Sequence, residues 1–174
     1  MHSIKSLIVS PSSRGWWIVL ASLCVFLEGV ALFYQYQLGY LPCVLCVHIR
    51  MLLGALLLVS ILALLIPPKP IAGLVLLLLA TLIWLWMLER SWQVLGVEMG
   101  FIMGECQMSS GLPQWLALES WFPFIFKIHE PCGYTPYVFF KVSMAHILLA
   151  ISAFFSLICV ASLITKGREH FSRS

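Results

Sequence analysis

The chain has 174 residues, of which 61% are hydrophobic and only 10% charged, with a formal net charge of +3. A single soluble core of this size cannot bury so much apolar surface, whereas a bilayer can, so the composition excludes an ordinary water-soluble domain. The small positive excess sits at the chain ends and turns and gives no reason to invoke nucleic acid.

The first long apolar run covers residues 16–34, close to the ~20 residues a helix needs to cross hydrocarbon. Its apolar core exceeds the ~7–15 residues of a secretory leader, and no small-residue cleavage motif follows it, so it reads as an anchor rather than a signal peptide. Three more runs are predicted to span, over residues 45–66, 71–88 and 143–165. Helices are expected throughout, because unpaired backbone groups are too costly in lipid and nothing suggests a closed barrel. The expected fold is therefore an all-α membrane protein. It is a single four-transmembrane-helix bundle over residues 1–174, with outer loops at 35–44 and 90–142 and an interfacial segment in the second.

Lys5 and Arg14 precede the first span, Lys69 lies in the "PPKP" turn between the second and third, and Lys166, Arg168 and Arg173 follow the fourth. The other side carries Arg50 and Arg90 at helix ends, and Lys127 and Lys141 in the long loop. The positive-inside rule then puts both termini in the cytoplasm and both loops outside.

Orientation sorts the six cysteines. Cys24 and Cys159 fall within the first and fourth spans and read as small buried side chains. Cys43, Cys46, Cys106 and Cys132 all lie on the outer side, an oxidising compartment if the membrane is a bacterial inner membrane. The stretch "YLPCVLCVHIR" (40–50) sets the first two at the predicted start of the second helix, with Pro42 in its first turn. Unpaired N–H groups at a helix start favour a thiolate. Arg50, four residues past Cys46 on the same helix face, adds to that effect. The expected site is thus a Cys46 thiolate at the water–lipid boundary, within reach of a membrane-dissolved reactant.

Were Cys106 and Cys132 bridged, they would close a loop of about 27 residues, worth ~3.5 kcal/mol in the chain-entropy account against ~2 for the short pair. Reduction would then loosen residues 107–131. Between the two cysteines runs "LPQWLALESWFPFIF" (112–126), too short and too interrupted by Pro113 and Pro123 to span. Its tryptophans and phenylalanines suit a segment lying in the membrane interface. Glu28 and Glu89, charged groups near lipid, read equally as functional groups or as ion-pair partners of Arg50 or Arg90. From the residues alone, three readings stay open: a redox pair of dithiols, an outward four-cysteine metal site, and two inert disulfides. Four cysteines allow three pairings. His129, His146 and the methionines Met99, Met103 and Met108 give no metal-ligand pattern.

Four spans, an outer Cys-x-x-Cys opening the second, a distant second cysteine pair and an interfacial segment between them resemble the bacterial disulfide bond formation protein B (DsbB) family. "PCVLC" with Arg50 behind it and "WLALESWFPFIF" carry the likeness, which extends over nearly the whole chain. The vitamin K epoxide reductase plan fits less well, because its Cys-x-x-Cys opens a later helix. The resemblance implies a thiol:quinone oxidoreductase of the bacterial inner membrane. Its partner would be a periplasmic DsbA-like thioredoxin-fold protein, and its cofactor ubiquinone or menaquinone. It also implies that the reduced partner attacks at Cys106 of a Cys106–Cys132 disulfide. Cys132 then exchanges with Cys43, and Cys46 faces the quinone beside Arg50. Arg90 and Gln93 match the family pattern. Val47, His48 and Ile49 replace its usual aromatic and acidic residues, and Glu98 stands in place of a histidine of the quinone region. With Cys46 and Arg50, His48 and Glu98 are the candidate cofactor-binding residues. His48 reads as a proton carrier or as a plain interfacial histidine, the replaced histidine leaves the proton route open, and the departures leave room for the DsbI-like branch.

Overall fold

The computed structural model describes residues 13–67, 70–103, 121–126, 128, 137–139 and 142–173. Four long helices carry it: α1 (Arg14–Gln37), α2 (Val44–Leu65), α3 (Pro70–Glu98) and, last in the chain, α5 (Met144–Arg173). A single turn, α4 (Pro123–Phe126), and a small hairpin of β1 (Tyr137–Phe139) and β2 (Val142–Ser143) stand between α3 and α5. All four long helices contain a stretch long and apolar enough to cross a membrane. Many of their large side chains point outward, among them Phe26, Leu58 and Leu157 at 65%, 63% and 71% exposure. That surface is stable only against lipid, so the protein is an integral membrane protein.

The caps explain where the helices begin and end. Ser13 caps α1, its hydroxyl accepting from the Trp16 amide at 3.3 Å. Past Gln37 the chain turns through Gly39 at φ +72°, and the Tyr40 amide returns to the Tyr34 carbonyl at 3.1 Å. Helix α3 does not stop at residue 88, where the apolar run ends, but continues to Glu98. The charges at Glu89 and Arg90 interrupt hydropathy without interrupting helix propensity. Its stop is a Schellman turn: Gly100 takes φ +77°, Phe101 N donates to Gly96 O at 2.8 Å, and Gly100 N donates to Val97 O at 3.2 Å. Ile102 then folds back over Gly96, where a Cβ would come within 2.7 Å of Ile102 Cγ1. With 29 residues, α3 is about 44 Å long, against a hydrocarbon core of ~30 Å, so its last turns reach the interface. Arg90, Gln93 and Glu98 therefore ride on helix, not on the loop expected from residue 90.

The core is continuous through the bundle. Trp84 of α3 stacks on Phe155 of α5, with ring centroids 4.8 Å apart and planes 11° apart, and Trp16 of α1 meets Phe155 at 5.9 Å. Small residues let α3 and α5 approach: Ala80, Thr81, Ser91, Ser152 and Cys159 are all buried. Thr81 and Ser152 satisfy their hydroxyls on carbonyls of their own helices, and Ser91 and Ser152 meet at 3.4 Å. Cys24 and Cys159 are buried free thiols. The hairpin was not expected. Its antiparallel register pairs Tyr137 with Ser143 and Phe139 with Val142, a β-prone run folded against the start of α5.

Candidate functional site

Short connections follow α1 and α2, and α3 packs antiparallel on α5 through Trp84–Phe155 and Ser91–Ser152, so the end of α1, the start of α2, the end of α3 and the start of α5 share one end of the bundle. Cys43, Cys46, His48, Arg50 and Glu98 all belong to that end.

Cys43 is the N-cap of α2. Its backbone is extended (φ −85°, ψ 170°), and its sulfur accepts from the Cys46 amide at 3.4 Å. Pro42 lies just outside the helix, not within its first turn. The helix start therefore directs its hydrogen bond at the Cys43 sulfur, while Cys46 sits three residues on, inside the first turn. The two sulfurs lie 2.8 Å apart. A small approach would bring them to the ~2.05 Å of a disulfide. Cys43 is buried and Cys46 half-buried.

Arg50 is not open to lipid: it is 6% exposed, and its guanidinium points across the helix pair. Nη1 donates to Gln35 Oε1 of α1 at 2.5 Å and to the Ile125 carbonyl at 2.9 Å, and Nη2 donates to the Ala31 carbonyl at 3.1 Å. A buried cation in a membrane bundle needs such acceptors to offset its desolvation. Gln35, 8% exposed, turns its amide nitrogen the other way, onto the Phe124 carbonyl at 3.3 Å. The Tyr36 hydroxyl donates to the same carbonyl at 2.5 Å. The α4 turn is thus held on α1 and α2 by two of its carbonyls. Its amides close the turn on Phe122, with Ile125 N and Phe126 N both 3.1 Å from Phe122 O. Trp121, Phe122 and Phe124 are exposed around it, as an interfacial segment requires. Residues 112–120 lie outside the described residues, as do Cys106 and Cys132.

Glu28 stands about two helical turns before Gln35, on the same face of α1. Its Oε2 is buried without a hydrogen-bond partner among the described residues, and the charge of Arg50 acts on it. The expected ion pair forms instead at the end of α3, where Arg90 Nε lies 3.3 Å from Glu89 Oε2. Gln93 joins them, accepting from Arg90 at 3.0 Å and donating to Glu89. His48 is half-buried on α2, and Glu98 is the last residue of α3. At the start of α5, Ser143 and His146 Nδ1 are hydrogen-bonded at 2.7 Å. Sequence reasoning missed Gln35 and Tyr36. The available signal was a polar side chain in the last turns of a membrane-spanning helix, a costly placement unless it has partners.

A four-helix membrane bundle with a capped Cys-x-x-Cys at one end defines the class: an integral membrane protein built around a dithiol that can close to a disulfide. The model of the family "Disulfide bond formation protein DsbB" matches residues 13–162. The chain belongs to that family. It is similar to the disulfide bond formation protein B of Yersinia enterocolitica, 30% identical with 92% of this chain and 94% of that protein covered. The Haemophilus influenzae protein of the same name is 32% identical over 86% of this chain and 85% of its own length. That of Mannheimia succiniciproducens is 30% identical, with 88% and 86% covered.

Proposed function

We propose that this protein is a quinone-dependent thiol oxidase that reoxidises a periplasmic DsbA-like thiol-disulfide oxidoreductase. The single observation that carries the proposal is the Cys43–Cys46 pair, capped on α2 with its sulfurs 2.8 Å apart and Arg50 one turn deeper. Family membership supplies the disulfide chemistry.

The residues present fit a quinone. Hydrogen bonds among the described residues engage three of the five guanidinium N–H groups of Arg50, so donors remain for a carbonyl oxygen. Exposed Leu38, Leu41 and Tyr40 give that end of the bundle an apolar approach from the membrane. When bound, the quinone is a sink for two electrons and two protons and becomes quinol.

The protein's own steps follow from thiol exchange. The partner's thiolate attacks the Cys106 sulfur and breaks its bond to Cys132. The partner's second thiol then closes its disulfide and releases Cys106. Cys132 attacks Cys43 of the Cys43–Cys46 disulfide, and Cys46 leaves as the thiolate. Cys106 attacks Cys132 in the mixed disulfide, reforming the outer pair and releasing Cys43. Two electrons have then moved from the partner's dithiol to Cys43 and Cys46, and oxidation of that pair passes them to the membrane acceptor. In Cys46's position near the helix start, the dipole favours the negative charge it must carry. Arg50 orients the acceptor, with His48 and Glu98 as the groups that exchange its protons. The cysteines face the periplasm and both termini the cytoplasm.

The test is stopped-flow mixing of purified protein, quinone and reduced partner, following quinone absorbance and partner thiols together. One quinone reduced per partner oxidised is expected. Partner oxidation without quinone consumption would overturn the acceptor, and no partner oxidation would overturn the activity.

A further inference from the structure

Arg50 and the α4 turn are held by one side chain. Arg50 carries only donors, and the Phe124 carbonyl is only an acceptor, so the orientation of the Gln35 amide between them is fixed: oxygen toward Arg50, nitrogen toward Phe124. No flip satisfies both neighbours. Gln35 is buried, and the turn it reaches lies in the segment that separates Cys106 from Cys132 in sequence. Tyr36, exposed beside it, adds a second donor to the Phe124 carbonyl and touches neither Arg50 nor the cysteines through any hydrogen bond among the described residues.

We propose that Gln35 is a positioning residue with two separable duties. Its carbonyl oxygen sets the direction of the Arg50 guanidinium, and its amide nitrogen, with the Tyr36 hydroxyl, docks the Pro123–Phe126 turn on α1. Arg50 closes the clasp by holding the next carbonyl, that of Ile125. Two consequences follow. Reduction of the outer cysteine pair loosens the loop only as far as the clasp, leaving 121–126 in place. Loss of the Gln35 oxygen disorders the guanidinium even though Arg50 itself is intact.

The kinetic half of this inference rests on the proposed role of Arg50 at the quinone, while the docking half stands on geometry alone. The test uses the full chain in lipid nanodiscs with three variants: Gln35→Leu, Gln35→Glu and Tyr36→Phe. Amide exchange at Ile125 and Phe126 reads the docking, and the KM for ubiquinone against kcat, at saturating partner, reads the guanidinium. Gln35→Leu should speed exchange about tenfold and raise the quinone KM about fivefold, with kcat within about twofold, as expected for losing hydrogen bonds of ordinary strength. Gln35→Glu keeps an acceptor for Arg50 and lacks the donor to Phe124. It should restore the KM and leave exchange fast. Tyr36→Phe should speed exchange and leave the KM unchanged.

Wild-type values of both readouts in Gln35→Leu would overturn the proposal. So would a Gln35→Glu protein whose KM stays as high as that of the leucine variant. If Gln35→Leu does not fold, Gln35→Glu and Tyr36→Phe decide the matter: both should show fast exchange with a wild-type KM, and wild-type exchange or a raised KM in either variant refutes the proposal. A wild-type protein that reduces no quinone would instead defeat the proposed activity. The exchange measurements would still decide whether the clasp exists.

Discussion

Cys43 has a structural role that its chemistry conceals, and two substitutions separate them. As the N-cap of α2, its sulfur accepts from the Cys46 amide at 3.4 Å, with its backbone already in the extended conformation a cap requires. Serine places a stronger acceptor on the same backbone, and alanine places none. Removing a cap side chain costs typically ~1 kcal/mol of helix stability. Both variants lack the thiol, so both should lose exchange with Cys46 and with Cys132 equally. They should differ in stability: Cys43→Ala should lie about 1 kcal/mol below Cys43→Ser, which corresponds to ~2–4 °C in thermal midpoint for a chain of this size. Locally, the Cys46 amide should exchange about fivefold faster in the alanine variant, the same free energy read at one site. The assay is amide exchange with thermal unfolding in one detergent, on both variants side by side. Equal Cys46 exchange in the two proteins would refute the cap, and with it the account of how the helix start meets the pair.

Cys46→Ser should abolish quinone reduction, while Cys106→Ser should prevent oxidation of the partner; steady-state turnover with each reactant in turn checks both. Arg50→His removes the reach across to Gln35 and Ile125 and should raise the quinone KM at least about tenfold, the worth of one charge-assisted hydrogen bond, as read from initial rates over a quinone titration. Gly96→Ala drives a Cβ into Ile102 and should destabilise the protein by about 1–2 kcal/mol net of the helix propensity it gains. Ile102→Ala on that background should recover most of the loss in a double-mutant cycle of detergent unfolding, whereas additive losses would show that the two positions do not touch.

The legible part of this protein was local. Runs of apolar residues as long as a bilayer is thick have one stable conformation in lipid, so four helices followed from the sequence without knowledge of their neighbours. The spacing of Cys43 and Cys46 put them on one helix start, because four residues of chain cannot separate them. Even the end of α3 was written locally, in Gly100, but hydropathy hid it: the apolar run fades at residue 88, while the helix runs on to Glu98.

The partners of Arg50 were beyond such reading. Four residues past Cys46, the arginine looked like a neighbour of that sulfur at the lipid boundary. In the folded bundle its hydrogen bonds go to Gln35 and Ala31 on another helix and to Ile125 far along the chain. Sequence spacing fixes which face of a helix a side chain occupies. It does not fix what that face meets, and a long, buried cation goes wherever acceptors can repay its desolvation. Which acceptors those are depended on α1 packing beside α2 and on one turn of the outer segment docking across both.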